Sequence, residues 1–237
     1  GVVKTDAYGH GAVPVARTID RFVCGYAVAT VDEGLKLRRH GIEKEILCLG
    51  PVSAGRYQEC LENDISLPMF EYWRAKELSD AAVAEGKTAK IHIAVDTGMS
   101  RIGLFPDEGS VETIKEIAEL PDLRIAGMFT HFARADEADK TNAGEQYRRF
   151  HEFCDDVKAA GVAVPVCHCS NSAGIVELPD FNMDAVRAGI TIYGLYPSDE
   201  VKQDIISLKP ANGVKRALST YIKGDRTGNG GQLRRNL

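Results

Sequence analysis

Short apolar or β-branched runs alternate along this chain with longer stretches of helical period, the pattern of repeated βα units around a parallel sheet. Eight runs read as strands: Val2–Lys4, Gly25–Ala29, Glu45–Leu49, Ile65–Met69, Lys90–Val95, Arg124–Thr130, Val166–Ser170 and Asp184–Val186. Eight is the number that closes an α/β barrel of the TIM type, (β/α)8. A doubly wound open sheet also alternates strand and helix, and the pattern favours the barrel without excluding it.

Between the runs, Ala12, Val15, Ala16, Ile19 and Val23 share one helical face, as do Val111, Ile114, Ile117 and Ala118, and again Tyr147, Phe150, Cys154 and Val157. Thr30 and Ser53 stand where helix N-caps are expected, and Gly41, Gly86 and Gly161 where helices should stop. The pattern changes near Lys209. From there to Leu237 seven lysines and arginines face a single aspartate, and glycines replace apolar periodicity. Such a segment has little to bury. The expected organisation is a barrel over 1–208 and a basic tail, or the stub of a further domain, over 209–237.

At 237 residues with 44% hydrophobic composition, the chain is long enough for one α/β barrel. A net charge of -5 and a pI near 5.7 provide no basic field, so a small molecule is a better expected partner than nucleic acid. No apolar run is long enough to cross a bilayer, and Gly1–Lys4 does not form a signal peptide. A soluble protein without membrane contact is expected. The six cysteines are scattered through strand-like and helix-like segments, which reads as reduced and cytosolic. Cys167 and Cys169 flank His168, but the spacing is not CxxC and no second ligand pair follows, so no metal is expected.

In such a barrel the reactive groups stand just after each strand. Lys4 follows two valines, a setting in which desolvation favours the neutral, nucleophilic amine. Schiff-base formation with pyridoxal phosphate is the commonest use of such a lysine, and a lysine snorkelling from a strand end is the plain alternative. Asn171-Ser172-Ala173-Gly174 opens a helix and Gly189-Ile190 begins the segment after the last strand. Hydroxyl and backbone N–H groups there suit a phosphate, although ordinary capping explains Asn and Ser equally well. Arg187 falls near the barrel centre between His131 and His168, with no acid in its motif. A guanidinium donates to a pyridine nitrogen without protonating it, leaving a weak electron sink that suits racemisation better than transamination. Each histidine alone reads as a core histidine; two at successive strand ends read as part of a site.

Val2-Val3-Lys4-Thr5-Asp6-Ala7-Tyr8-Gly9-His10-Gly11 resembles the pyridoxal-phosphate attachment motif of alanine racemases. Asp96–Gly103, Thr130-His131-Phe132, His168–Ser172 and Arg187–Leu195 resemble that family's other motifs in order and spacing, so the similarity runs nearly to Leu208. The resemblance implies a fold type III barrel in which Lys4 links to the cofactor and serves as one catalytic base. It implies that Tyr8, Ser172 and the backbone at Gly189 and Ile190 hold the phosphate. Arg101 would bond the phenolic oxygen and Arg187 the pyridine nitrogen, with His131, His168 and Asn171 in support. The implied substrate is alanine, and the implied assembly of the complete enzyme is a homodimer.

Three departures qualify that expectation. The family carries a few dozen residues before the lysine motif, whereas Gly1 stands almost directly before it here. The family also has a C-terminal β domain that supplies an opposing tyrosine. The tail loses resemblance, and its Tyr221 lacks the family's glycine-flanked setting. A chain with Lys4 alone is expected to move protons on one face of Cα, with strong loss of turnover and doubtful dimerisation. Ala94 occupies the position where many members place a carbamylated lysine, so Arg101 needs another support. A non-catalytic pyridoxal-phosphate-binding barrel and a serine or broad-specificity racemase remain as alternatives.

Overall fold

The computed structural model describes residues 1–211. Six parallel strands form one sheet in sequence order: β1 (Gly25–Val28), β2 (Glu45–Cys48), β3 (Ile65–Met69), β4 (Ala89–Ala94), β5 (Leu123–Phe129) and β6 (Cys167–His168). Beyond its edges single bridges continue the ring, Val2 with Ala27 and Ala185 with His168. The Val2 N–H donates to the Ala188 carbonyl (2.8 Å) and joins the two ends. An open sheet would leave that edge unpaired, so the barrel reading holds.

The expected strands Val2–Lys4 and Asp184–Val186 are thus reduced to one bridge each. The first is cut short because the chain turns left-handed directly after Lys4, with φ of 56°, 52°, 57° and 52° at Thr5, Asp6, Ala7 and Tyr8. In the second, Met183 has a φ of 45°, and the Asp184 carboxylate takes the Cys167 N–H at 2.8 Å. Val166–Ser170 likewise shrinks to the two residues of β6.

Among the described residues seven helices cover the ring: α1 (Ala12–Ile19), α2 (Val31–Arg39), α3 (Tyr57–Glu62), α4 (Tyr72–Glu85), α5 (Glu108–Ala118), α6 (Thr141–Ala159) and α7 (Ser172–Glu177). Thr30 caps α2 by accepting the Glu33 N–H (3.4 Å). Ser53 makes no cap bond, because a short 3-10 turn, Ala54–Arg56, follows it. Val23 lies beyond α1 in extended backbone. Ile114 and Ile117 of α5 and Phe150 and Val157 of α6 are buried against the sheet, as the helical faces anticipate. Full burial of each such side chain contributes about 1.5–3 kcal/mol. The expected tail lies outside the described residues from 212 onward. Among the described residues no helix is long and apolar enough to cross a membrane.

Candidate active site

A cavity of about 600 Å³ opens at the C-terminal ends of the strands. Lys4, Tyr8, Arg101, His131, Asn171, Ser172, Arg187, Gly189 and Ile190 all line it. His168 is buried beside them, bonded to Arg187. The ten candidates therefore converge, although they come from strand ends spread along most of the chain.

Lys4 is placed by the left-handed turn that follows it. Within that turn the Ala7 N–H donates to the Val3 carbonyl (2.9 Å) and the Gly9 N–H to the Thr5 carbonyl (3.1 Å). Left-handed geometry costs an L-residue roughly 1–2 kcal/mol, so neighbours must hold it. The Glu33 carboxylate accepts the Thr5 N–H (2.6 Å) and the Ala29 N–H (2.7 Å). Asp6 accepts the Ala12 N–H (3.0 Å) and pairs with Lys36 (2.7 Å). The turn carries Tyr8 back to the cavity, its ring 5.0 Å from that of Tyr193. Burial raises the Tyr8 phenol above its usual range, so it remains a proton donor.

Opposite Tyr8, Ser172 Oγ accepts the Gly189 N–H (3.0 Å) and the Thr191 hydroxyl (3.1 Å). A Cβ added at Gly189 would stand 3.0 Å from Tyr8 Oη and 3.5 Å from Ser172 Oγ. Two hydroxyls thus border a space that any side chain would fill. Asn171 lines the cavity but spends its side-chain oxygen capping α7, accepting the Gly174 N–H (3.1 Å).

Arg187 is fixed by acceptors alone. Its guanidinium donates to the carbonyls of His168 (3.1 Å), Thr130 (2.6 Å) and Cys169 (3.0 Å). It also donates to Nδ1 of His168 (2.7 Å), and its Nη2 lies 3.1 Å from Nδ1 of His131. Burial lowers it only to about 10, so it stays charged at neutral pH. Burial, then the charges of Arg187, Arg101 and Lys4, push His131 down to about 3. Burial, then Arg187 and His92, hold His168 well below the usual range. Both rings are therefore neutral, each with Nδ1 turned to the arginine.

Arg101 sits on the loop after β4. Asp96 organises that loop by accepting the N–H groups of Gly98 (3.0 Å) and Ser100 (2.9 Å). Gly103, at φ 127°, closes it where a Cβ would lie 2.5 Å from the Asp96 nitrogen. Ala94 is buried, and no described residue hydrogen-bonds the Arg101 side chain. Four residues that sequence reasoning passed over complete the site. Glu33 clamps the turn after Lys4. Gln146, fully buried, accepts the Ala133 N–H (2.8 Å) and donates to the His131 carbonyl (3.0 Å). His92 and Glu45 lie beneath His168. The signal for Gln146 and His92 was a polar residue on an apolar face, between Ala143 and Phe150 in one case and Ile91 and Ile93 in the other.

Residues 1–197 match the family described as alanine racemase, N-terminal domain. The chain belongs to that family. It is 45% identical over 216 residues to an alanine racemase of Clostridium novyi, covering 91% of this chain and 56% of that relative. A solved alanine racemase of Clostridium difficile superposes with a TM-score of 0.87 at 41% identity, over 89% of this chain and 55% of its own. A histidine racemase from Leuconostoc mesenteroides superposes with a TM-score of 0.82 at 28% identity, over 89% of this chain and 56% of its own. The chain spans little more than half the length of these relatives. Pyridoxal 5′-phosphate is the cofactor of alanine racemases. The cavity fits it: one lysine for its aldehyde, a glycine-lined space between two hydroxyls for its phosphate, and arginines for its remaining polar atoms.

Proposed function

We propose that this chain is the cofactor-binding barrel of a pyridoxal-phosphate-dependent racemase that interconverts L- and D-alanine. The observation that carries the reading is the convergence of Lys4 and Tyr8, Ser172, and Arg187 on one cavity from three separate strand ends. When bound, the cofactor supplies an aldehyde to join an amine and a ring to withdraw electrons from Cα. Lys4 would hold the aldehyde and move the proton at Cα on its own face. Tyr8, Ser172 and the Gly189–Ile190 backbone would hold the phosphate, and Arg101 the phenolic oxygen. Arg187 keeps its proton and would donate to the pyridine nitrogen, which would limit how far the ring draws charge away from Cα. His131, His168 and Asn171 support these groups. Among the described residues Lys4 is the base assigned, and it would exchange the α-hydrogen on its own face of Cα. The family's homodimer belongs to the complete enzyme. All six cysteines are free thiols, five of them buried, which supports a reducing, cytoplasmic setting.

The test is borohydride reduction of the chain incubated with pyridoxal phosphate, followed by peptide mass mapping and an assay of deuterium exchange into alanine. A cofactor adduct on Lys4 that Lys4→Ala abolishes, with stereoselective exchange, supports the reading. An adduct elsewhere removes Lys4 from the mechanism, and an adduct without exchange of any amino acid favours a non-catalytic cofactor-binding barrel. The likeness to a histidine racemase favours a second reading, a different or broader amino-acid substrate on this barrel, and running the exchange with serine and histidine separates the two.

A further inference from the structure

A line of hydrogen-bonded side chains crosses the barrel interior beneath the cavity. Arg187 Nη1 donates to His168 Nδ1 (2.7 Å), His168 Nε2 lies 3.0 Å from His92 Nδ1, and His92 Nε2 lies 3.2 Å from Glu45 Oε1. Ser66 Oγ donates to the same carboxylate oxygen (3.0 Å). Glu45 is the first residue of β2 and is half-exposed, so the line ends at the opposite rim of the barrel from the site.

Only one arrangement of protons satisfies every link. An arginine can only donate, so His168 Nδ1 accepts. A neutral imidazole that accepts at Nδ1 carries its hydrogen on Nε2, and that hydrogen goes to His92 Nδ1. His92 must then carry its own hydrogen on Nε2 and donate to Glu45, which as a carboxylate can only accept. Reversing any link sets two donors or two acceptors face to face, a costly arrangement in a buried setting. Space is reserved for the line: a Cβ at Gly127 of β5 would stand 2.6 Å from His92 Nδ1. No carboxylate touches Arg187 among the described residues, and Glu45 is the first one reached along its bonded neighbours.

We propose that Glu45 is a positioning residue for Arg187, its carboxylate fixing the tautomers of His92 and His168 so that an acceptor lone pair stays turned to the guanidinium. The negative end of the line polarises both rings in the same sense and strengthens that acceptor. The meaning of this for a bound pyridine rests on the function proposed above, whereas the tautomers belong to the protein itself.

The test is 15N NMR of the full chain labelled at histidine, without cofactor, because imidazole nitrogen shifts distinguish the two tautomers from each other and from the imidazolium. His92 and His168 should both be single Nε2–H tautomers. Glu45→Gln preserves shape but offers a donor and an acceptor indifferently. It should cost His92 its single-tautomer pattern and shift the His168 Nδ1 resonance, with circular dichroism verifying the fold. Ser66→Ala, which leaves the carboxylate on His92, should preserve both signatures, and Glu45→Asp should restore part of what Glu45→Gln loses. An Nδ1–H tautomer at His92 in the parent, or a His168 resonance indifferent to Glu45→Gln, overturns the proposal. Failure of the functional reading would show separately, as a missing cofactor adduct on Lys4 with these tautomers intact.

Discussion

Acidification tests the neutrality of the two imidazoles that accept from Arg187. An unfolded histidine binds its proton near pH 6.5. In the folded chain burial and the cavity's cations hold His131 down to about 3, and burial and Arg187 hold His168 well below the usual range. Below 6.5 the unfolded state therefore binds more protons than the folded one. The contribution is fully present above 6.5 and is lost as the pH falls toward the folded midpoints. Between pH 6.5 and 5, a histidine that stays neutral only when folded removes on the order of 2 kcal/mol by this linkage. His168 adds a loss of the same sign, so the pair removes a sizeable share of the roughly 5–15 kcal/mol that stabilises an ordinary domain. Urea unfolding at the two pH values measures the loss. His131→Asn cannot titrate, so its loss across the interval should be smaller by on the order of 2 kcal/mol whatever its starting stability. Equal losses in parent and variant, or a His131 proton resonance titrating near 6.5, would refute the burial argument.

Other perturbations read other parts of the site. Glu33→Ala leaves the N–H groups of Thr5 and Ala29 without their acceptor, and urea unfolding should show a loss of about 1–3 kcal/mol. The same variant should also form less cofactor adduct on Lys4, because the left-handed turn is released. Gly189→Ala places a methyl 3.0 Å from Tyr8 Oη, and the Kd for pyridoxal phosphate, followed by fluorescence quenching, should rise tenfold or more while Lys4 remains competent. Gly127→Ala drives a methyl to 2.6 Å from the His92 ring and 2.7 Å from the Val166 carbonyl, and should lower stability by about 1–3 kcal/mol in the same urea assay.

What could be read in the sequence follows from where periodicity is strict. β1 to β5 stand within a residue or so of their apolar runs, because a strand covered on both faces must be apolar almost throughout. The two strands that shrank to bridges lie where the chain has to leave the sheet for the site. Nothing in Thr5-Asp6-Ala7-Tyr8 announces a left-handed turn, since the cause is the carboxylate of Glu33, reached only through the fold. The Lys4, Ser172 and Arg187 cluster was legible because barrel topology gathers strand ends, and Tyr8 entered only through the resemblance of its motif. Glu45 was not, because its partner enters the interior from β4 at the opposite rim. Asn171 shows both of its possible roles at once, lining the cavity while capping α7.

The barrel and its most buried cation come from the same hydrogen-bond accounting. Where strands end, their last carbonyls lose ladder partners and must find donors elsewhere. At the mouth of this ring the carbonyls of Thr130 and Cys169 find them in one guanidinium, which also reaches the His168 carbonyl beside the bond that carbonyl accepts from the Thr130 N–H. Arg187 is thus stabilised by the termination of β5 and β6, and it holds the cavity positive in a chain whose net charge is -5. Lys4, Arg101 and Arg187 all bear on His131, while Asp136 is the one carboxylate among the residues lining the cavity. With the buried charge of Arg187 so little compensated, a phosphate-bearing ligand is expected to stabilise the fold when it binds, by the linkage between binding and folding. Arg187→Leu should therefore weaken the two edges of the ring, seen as faster amide exchange at Val2 and Asp184, whose N–H groups bond across them, beyond any loss at the cavity itself.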